Sequence, residues 1–559
     1  MLAVDDAFFQ IETLAYAAAA VAFLAGVLIL ASPWLPSFRR RIRVSGAVSP
    51  GRLGVVKTFP LGRRRQLIVV RRDDVEHLVA FGGPNDLVVE ADFPAGDVAQ
   101  LSGKGEDRPS DDEASEQVRF GRLRSYFRPA SRIFVGPGLF PLAVLSGIAG
   151  AGVGLICGFF RLALEEVDRF RISLPVMWHA EPLLGAGLLI IGAAGTAAFS
   201  TWLVHRYSEL AAGSGIPHVE AVLNGELPPA PLILLPVKFI GGLLAIGSGF
   251  ALGREGPCVQ MGATLSNLLG KFFRRDAADC RTLLAAGAGA GLAAAFNAPF
   301  AGAAFVIEEL TRQFETRNAI AALGASGSAI MVSRLFTGPA PDFIVMKVPF
   351  PDLADNLLCL VLGAFAGLLG VVYNRTILGA LSIADRLTYL PVEVRAALVG
   401  AGVGALAWFA PGLAGGGDSL TQRTLEGAET LAVLPFIYLL RLILGAASYA
   451  AGTPGGLFAP LLVLGAQMGF FFGGLISPGE INPSSHAVAF AVVGMAAIFT
   501  AVVRAPLTGM ILVTEMTANS GLLLPMLAAC FSAMWVATVL REPAIYDALK
   551  ARTLFGKKS

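Results

Sequence analysis

One glutamate of this chain stands between glycines in a sequence that is otherwise apolar enough to lie in lipid. The run at 253–257 reads Gly-Arg-Glu-Gly-Pro, with Glu255 at its centre. An ionisable side chain at membrane depth is costly, so it indicates an ion or proton path. A carboxylate can hold a proton, or it can accept hydrogen bonds from amide groups that broken backbone leaves free. Glu255 and its neighbours therefore predict a site that binds or conducts an ion or a proton.

The same glycine-to-proline pattern occurs three times, at Gly213–Pro217, Gly253–Pro257 and Gly456–Pro460. Glycine permits a bent approach to a helix, and proline is tolerated in the first turn because that amide has no helical partner. The other N–H groups of the first turn point outward with the positive end of the helix dipole. Several such ends together form an anion site without a full positive charge, which would hold the anion too tightly to release it.

An internal repeat relates two parts of the chain. The segment 253–257 with Gly262 aligns with 456–460 and Gly465, and Gly287, 298–302 and Glu308 align with Gly494, 505–509 and Glu515. Glycine-broken apolar segments at corresponding positions are typical of transporters built from structural repeats, with the substrate near mid-membrane. The repeat halves are predicted at about 135–335 and 355–540.

The composition indicates a polytopic membrane protein. Of 559 residues, 55% are hydrophobic and only 15% are charged, and the mean hydropathy is +0.67. Stretches such as Leu139–Phe160, Pro182–Leu203 and Leu357–Val372 are nearly free of charge, and several reach the length that crosses a bilayer. A net charge of +2 gives no reason to expect nucleic acid.

Few sequence features favour enzyme chemistry. No nucleophile–base pair, metal cluster or phosphate-binding lysine motif is evident, so we predict no enzyme activity, no metal and no cofactor. The five histidines show no metal-ligand spacing, and the five cysteines form no CxxC pair. We interpret the cysteines as small core residues rather than disulfides.

The chain before the repeats divides into three predicted parts. Residues 1–37 contain an apolar helix followed by arginines at 39–41 and 43, which predicts an uncleaved anchor that continues into the cytoplasm. Residues 38–93 are predicted to form a small cytoplasmic β module with strands at 52–61, 66–72, 75–81 and 86–92. Residues 94–118 are predicted to be a flexible linker, and 119–559 the transport domain.

An anchor followed by such a β module, including the run RRRQLIVVRRDDVEHLVAFGGPNDLVVE, resembles the FliO-like accessory proteins of flagellar export. The likeness covers about the first ninety residues and implies no catalytic residue.

The three glycine-to-proline motifs, in their order, resemble the CLC family of chloride channels and chloride/proton antiporters. The resemblance extends over about four fifths of the chain and includes the run at 546–554, which is typical of the bacterial branch. It implies an all-α polytopic membrane fold with an inverted repeat and broken helices. It also implies a multi-pass protein of the bacterial inner membrane, surrounded by lipid, and a homodimer with one pathway per subunit.

The resemblance implies two anion sites. At the central site, the Ser214 hydroxyl and the Tyr546 phenol would donate to chloride, together with the backbone amides of Leu457 and Phe458. Backbone amides around Arg254, Glu255 and Gly256 would form the outer site.

Glu255 would be the gate: its ionised carboxylate would occupy the outer site, where it competes with chloride for the same amide donors, and it would swing out when it is protonated. The alternative is that Glu255 only caps a helix. Serine at 214 favours chloride over nitrate in this family, and the set of serine, glutamate and tyrosine differs from that of the fluoride-exporting branch. His218 departs from the acidic residue or glutamine that is common at its position; we interpret it as a buried structural residue.

The repeat alignment separates glutamates with shared roles from unmatched ones. Glu308 aligns with Glu515, which favours a structural role such as helix-end hydrogen bonds or ion pairs. Glu309 instead aligns with Met516, and it stands where proton-coupled family members have an internal proton glutamate. We therefore predict that protons enter from the cytoplasm through Glu309 and that the protein is an antiporter. The alternative is that Glu309 only pairs with a base such as Arg312.

Two other functions remain open from the sequence. One is a passive chloride channel. The other is an assembly or scaffold role, in which the FliO-like module recruits the CLC-like part to another membrane complex.

Overall fold

The computed structural model describes residues 53–60, 66–72, 75–81, 87–94, 138–345, 353–476 and 485–555. The anchor predicted at 1–37 lies outside the described residues, as does the predicted linker beyond residue 94.

The first described part is a four-stranded antiparallel sheet in the order β1-β2-β3-β4. The strands are β1 Leu53–Pro60, β2 Gln66–Arg72, β3 Val75–Phe81 and β4 Leu87–Pro94. The register of β2 and β3 is regular, whereas shifts interrupt β1–β2 and β3–β4. Each strand pairs with the next along the chain, so the sheet is a meander. Its likeness to FliO and its side of the membrane remain predictions.

The second described part is all helical and contains two sets of eight helices in the same order. The first set is α1 Leu139–Met177, α2 Pro182–Tyr207, α3 Ile216–Leu223, α4 Leu234–Gly247, α5 Glu255–Phe272, α6 Ala277–Phe296, α7 Pro299–Phe305 and α8 Thr316–Thr337. The second set is α9 Leu353–Arg386, α10 Val392–Phe409, α11 Asp418–Leu425, α12 Leu434–Ala450, α13 Phe458–Ile476, α14 Ser485–Val503, α15 Pro506–Thr517 and α16 Leu523–Val539. Helix α17, Ile545–Phe555, follows them.

Local sequence accounts for the helix ends. The Asp276 carboxylate accepts the N–H of Asp279 at 2.6 Å and so caps the start of α6, as a residue with a short polar side chain does at an N-cap. Asn297 ends α6 in the left-handed conformation, with φ +52°. Helices α2, α7 and α15 each begin at a proline, where the missing N–H costs nothing.

The lengths of the helices fit a membrane protein with interrupted spans. Within the described part of the chain, seven helices are long and apolar enough to cross a membrane. Helices α3 and α11 have eight residues each, too few to cross, and they end within the fold. The prediction of a polytopic all-α protein with broken helices is confirmed.

The two repeats pack their central helices in the same way. Helices α6 and α14 are almost entirely buried and form the centre of the helical part. Each packs closely on the helix before it, since a Cβ added to Gly287 would overlap the carbonyl oxygen of Gly262, and one added to Gly494 that of Gly465. The same glycine-to-glycine contact therefore occurs at aligned positions of the two repeats, so the repeat is a structural one.

All five cysteines belong to the described residues, and all are free and buried. Their interpretation as small core residues is therefore confirmed.

Candidate ion-transport site

Broken backbone from both repeats meets at one place. The N–H of Gly253 donates to the carbonyl of Gly456 at 3.0 Å, and the N–H of Gly456 donates to the carbonyl of Gly253 at 2.7 Å. Gly213 pairs in the same region, accepting the N–H of Gly455 at 3.1 Å and donating to the carbonyl of Thr453 at 3.0 Å. The three glycine-to-proline motifs therefore converge, and the helices that begin there, α3, α5 and α13, direct their first turns to a common site.

Glu255 lies inside this site. Its side chain is fully buried, and one carboxylate oxygen, Oε1, accepts the backbone N–H of Phe458 at 2.7 Å. The other oxygen, Oε2, has no hydrogen-bond partner in the structure. The structure thus places the carboxylate on an amide at the start of α13, which the family resemblance assigned to the central anion site and not to the outer site expected for Glu255. It also pairs Glu255 with the residue that the repeat alignment had set opposite it.

Two hydroxyl groups face the same region without a partner. Ser214 and Tyr546 are 1% and 0% exposed, and neither hydroxyl oxygen has a hydrogen-bond partner. Both lie close to residues that contact or adjoin the Glu255 carboxylate, namely Gly256 and Phe458. A Cβ on Gly256 would lie 2.7 Å from Ser214 Oγ, and the Tyr546 ring lies 5.7 Å from that of Phe458. Buried hydroxyls without partners are costly, so an acceptor between them would be stabilised.

The described contacts bring together five of the seven residues predicted to bind chloride: Ser214, Glu255, Gly256, Phe458 and Tyr546. Leu457 is fully buried immediately before α13, next to Phe458. Rings of Phe296, Phe305 and Phe499 surround Phe458 at centroid distances of 6.5, 6.0 and 4.7 Å. The site is therefore a dry pocket of amides and hydroxyls with aromatic walls.

Arg254 is held in place beside the gate residue. Its guanidinium donates to Asp342 at 3.1 Å, to Asp418 at 3.3 Å and to the carbonyl of Ala295 at 2.9 Å. These bonds direct the charge away from the anion pocket. Arg254 can therefore contribute its backbone to an anion site while its side chain anchors the start of α5.

A buried lysine supports the Ser214 loop, and the sequence reasoning missed it. Lys238 is fully buried, and its Nζ donates to the carbonyls of Ala211 and Gly213 at 3.0 and 2.7 Å. The signal was present, because Lys238 is the only charged residue of the apolar segment Leu234–Gly247. It holds the backbone of this loop without contacting the hydroxyl of Ser214.

The glutamates matched between the repeats have the structural role predicted for them. Glu308 accepts the N–H groups of Leu507 and Thr508 at 2.9 and 2.6 Å, at the start of α15. Glu515 accepts the N–H groups of Phe300 and Ala301 at 3.2 and 2.8 Å, at the start of α7. Each carboxylate caps a helix of the other repeat, so the prediction of helix-end hydrogen bonds is confirmed.

Glu309 has different surroundings. It is 3% exposed and lies in a π-helical turn, Val306–Leu310, a feature that is frequent at functional sites. Its Oε1 lies 3.7 Å from Arg312 Nη2 and has no hydrogen-bond partner. Arg312 donates to Asp547 at 3.0 Å and to the backbone carbonyl of Glu309 at 3.3 Å. The contact between the Glu309 carboxylate and Arg312 is therefore a loose one, at 3.7 Å. The alternative that Glu309 only pairs with Arg312 stays open, and its proton role stays a prediction.

A cavity of about 760 Å³ reaches Glu309. Its wall includes Glu308, Arg312, Arg504 and Asp547. The buried Glu220 lies in the same neighbourhood, where Lys550 Nζ contacts both Glu220 and Asp547, at 3.3 and 3.4 Å. Water in this cavity would give protons access to Glu309. The sequence reasoning missed the pair of Glu220 and Lys550, because the two residues are 330 positions apart.

His218 is 7% exposed in α3, which agrees with its interpretation as a buried residue.

The comparisons with known proteins agree with this geometry. The sequence model of a family described as voltage gated chloride channel matches residues 195–538. The chain is 38% identical over 449 residues to the H(+)/Cl(-) exchange transporter ClcA of Vibrio parahaemolyticus, covering 76% of this chain and 93% of that protein. A ClcA of Vibrio cholerae is 37% identical, with coverage of 75% and 91%.

A solved structure is similar throughout the helical part. It is the crystal structure of a slow cyanobacterial Cl⁻/H⁺ antiporter, with a TM-score of 0.70 and 32% identity, and the match covers 75% of this chain and 98% of that one. The glycine-to-proline motifs, the reciprocal repeats and these matches agree. The chain belongs to the voltage-gated chloride channel family, known as the CLC family.

Proposed function

We propose that this protein exchanges chloride for protons across the bacterial inner membrane. One observation supports this most directly: the buried Glu255 carboxylate accepts the Phe458 N–H beside the unpartnered hydroxyls of Ser214 and Tyr546. A carboxylate and a chloride ion are both acceptors of such donors, and they cannot occupy them together. The similar exchangers from Vibrio and the cyanobacterial antiporter support chloride and protons as the transported ions.

The mechanism follows from this competition. While Glu255 is ionised, it holds the Phe458 N–H and blocks the anion path. When a proton reaches the carboxylate, it loses its charge, its hydrogen bond to the amide weakens, and the side chain leaves the pocket. Chloride then takes the N–H together with the hydroxyls of Ser214 and Tyr546. One pocket serves both anions in turn, so chloride movement is coupled to protonation.

The proton path is proposed to begin at Glu309. Its carboxylate is buried behind a cavity that is large enough for water, which we assign to the cytoplasmic side. Glu309 has no counterpart in the second repeat, where Met516 is aligned with it. The amide groups of Arg254 and Gly256 are proposed to hold chloride on the other side of the gate.

The proposal can be tested in liposomes that contain the purified protein. The experiment starts with a chloride gradient and no pH gradient. Chloride moving down its gradient should drive protons in the opposite direction, and a chloride electrode and a pH dye record both. Chloride flux without proton movement would identify the protein as a passive channel. Fluoride and nitrate, supplied in place of chloride, test the preference that Ser214 predicts.

The variant Glu255→Ala should keep chloride flux and lose proton movement, because no carboxylate remains to take the proton. Glu255→Gln, which keeps the shape but not the charge, should behave in the same way. Wild-type flux should rise as the pH falls, since protonation unblocks the pocket, whereas flux in both variants should not depend on pH. Proton movement in Glu255→Ala at the wild-type rate would refute the gate.

Further proposals concern assembly. We propose a homodimer, as the family resemblance implies, and a FliO-like β module on the cytoplasmic side. The arginines at 39–41 and 43, after the apolar run of residues 11–30, support this side. Cross-linking of membranes tests the dimer, and labelling of a cysteine introduced in the β module tests its side.

A further inference from the structure

A second loop has the same construction as the loop that contains Ser214. Residues 213–215 precede α3, and residues 415–417 precede α11, and both helices have eight residues. The first and last glycine of each loop have positive φ, +62° and +84° in the first loop and +86° and +105° in the second. Each helix also ends before a glycine with positive φ, Gly225 and Gly427. The second loop is thus the repeat-related counterpart of the Ser214 loop.

A buried cation from the next helix holds each loop. Lys238 of α4 binds carbonyls of the first loop, as described above. Arg441 of α12 is 2% exposed and donates to the carbonyls of Leu413, Gly415 and Gly416 at 3.0, 2.8 and 2.9 Å. The carbonyl oxygens of Gly213, Gly415 and Gly416 are therefore engaged by buried basic side chains. The first-turn N–H groups of α11, like those of α3, point out of the helix end.

The second loop lies against a guanidinium that lacks partners. Arg171 of α1 is 5% exposed, and its Nη2 donates to Asp168 at 2.8 Å. Its Nε and Nη1 are buried without a hydrogen-bond partner. A Cβ added to Gly415 would lie 2.9 Å from Arg171 Nη2. Buried donors without an acceptor are costly, most of all on a charged group, so this position favours an anion.

Arg171 and the second loop line one cavity of about 350 Å³, which also reaches Gly253 and Arg254 beside the gate. Its charged lining consists of four arginines and four carboxylates: Arg161, Arg169, Arg171, Arg254, Glu165, Asp168, Asp342 and Asp418.

The other charges of this cavity are paired. Arg161 binds Glu165 and Asp342, and Arg254 binds Asp342 and Asp418. Asp418 stands in the first turn of α11, yet its carboxylate is turned to Arg254. Among these groups, Arg171 is the cation that has buried nitrogens to offer.

We propose that Arg171, the loop 415–417 and the first turn of α11 bind a halide in this cavity, beside Gly253 and Arg254. The ion would wait there before it reaches the pocket of Ser214 and Tyr546. The site is built from one guanidinium that Asp168 partly neutralises, so it releases the ion readily, as conduction requires. The identity of the ion as chloride rests on the proposed function.

The first test compares two arginines of the same helix and the same cavity. Arg171→Gln removes the unpaired donors, whereas Arg169→Gln is the control, because Arg169 is 61% exposed and pairs with Glu166. In liposomes, the chloride concentration that gives half-maximal flux should rise about tenfold in Arg171→Gln, as loss of one charged hydrogen bond predicts. It should stay unchanged in Arg169→Gln, with the same ratio of chloride to protons in both.

The second test detects the ion itself and does not need transport. Crystals of the wild-type protein grown in bromide should show an anomalous peak within hydrogen-bond distance of Arg171. The peak should persist in Arg169→Gln and disappear in Arg171→Gln, or in Arg171→Met if the glutamine variant does not fold.

The two tests separate this inference from the proposed function. A bromide peak at Arg171 in a protein that moves no protons would support the site and refute the exchange. No peak at Arg171, together with an unchanged half-maximal concentration in the variant, would overturn the site and leave the exchange intact.

Discussion

At the residue scale, two adjacent glutamates, Glu308 and Glu309, have different hydrogen-bond partners. Glu308 gives both carboxylate oxygens to the start of α15, including the N–H and the hydroxyl of Thr508. Glu309, the next residue, has one carboxylate oxygen without a hydrogen-bond partner and lies at the cavity of about 760 Å³. The first arrangement stabilises the fold, whereas the second is the one expected of the proton carboxylate proposed above. The repeat alignment distinguishes the two because only Glu308 has a counterpart, Glu515.

Exchanging each of these glutamates for alanine should separate stability from coupling. Glu308→Ala removes a helix cap and should lower the free energy of unfolding by about 1–2 kcal/mol, as should Glu515→Ala. Glu309→Ala should leave stability unchanged or raise it, since a buried charge without full pairing is removed, but it should stop proton movement. Thermal unfolding in detergent and the liposome assay measure the two effects.

Two outcomes would contradict this assignment. Wild-type proton movement in Glu309→Ala would show that protons enter elsewhere. A wild-type melting temperature in both Glu308→Ala and Glu515→Ala would show that the reciprocal caps contribute little.

Sequence reasoning predicted the members of the site better than their contacts. Glu255 was predicted from a motif, because glycine and proline spacing records where the backbone must break, whereas the roles of Ser214 and Tyr546 were implied by the resemblance to the CLC family. That the carboxylate accepts the Phe458 N–H was not predictable, since it depends on the position of one side chain across two repeats. Lys238 and Arg171 were missed for the same reason: each acts on a loop that is distant in sequence.

At the element scale, the apolar stretches predicted the starts of helices better than their ends. The stretch Leu139–Phe160 proved to be the first part of α1, which continues to Met177. The added turns are charged, and pairs such as Arg161 with Glu165 and Arg171 with Asp168 stabilise them at helical spacing. Hydropathy alone ends the segment at the first charged residue, whereas the helix continues past Arg171, which lines the cavity of about 350 Å³. Helix α2 similarly extends beyond Leu203 to Tyr207.

Close helix packing at glycine gives a prediction at this scale. Gly287→Ala and Gly494→Ala should each lower the free energy of unfolding by about 1–3 kcal/mol, because the new methyl group overlaps backbone of the preceding helix. Gly192→Ala is the control, since nothing lies within 4 Å of its Cβ position, and it should be neutral or stabilising by up to about 1 kcal/mol. Thermal unfolding in detergent measures all three variants. Equal effects at the three positions would show that packing does not select these glycines.

At the scale of the whole molecule, two repeats with equal helix order form one asymmetric site. The backbone is close to symmetric there, as the reciprocal bonds of Gly253 and Gly456 and the reciprocal caps of Glu308 and Glu515 show. The side chains are not, because Glu255 faces Phe458 and Glu309 corresponds to Met516. The architecture is therefore shared by both halves, whereas the residues proposed to carry protons belong to the first.

Every residue of the proposed ion path lies between positions 161 and 547, within the helical part of the described chain. Removing residues 1–118 from the purified protein should therefore leave chloride flux and its coupling to protons unchanged. The same truncation with Glu255→Ala is the control, and it should move chloride but not protons. If truncation abolishes exchange while the protein still elutes as a folded species, the N-terminal part takes part in transport. If exchange persists, a role of residues 1–95 in recruitment can be tested separately, by searching for proteins that co-purify with the full-length chain and not with the truncated one.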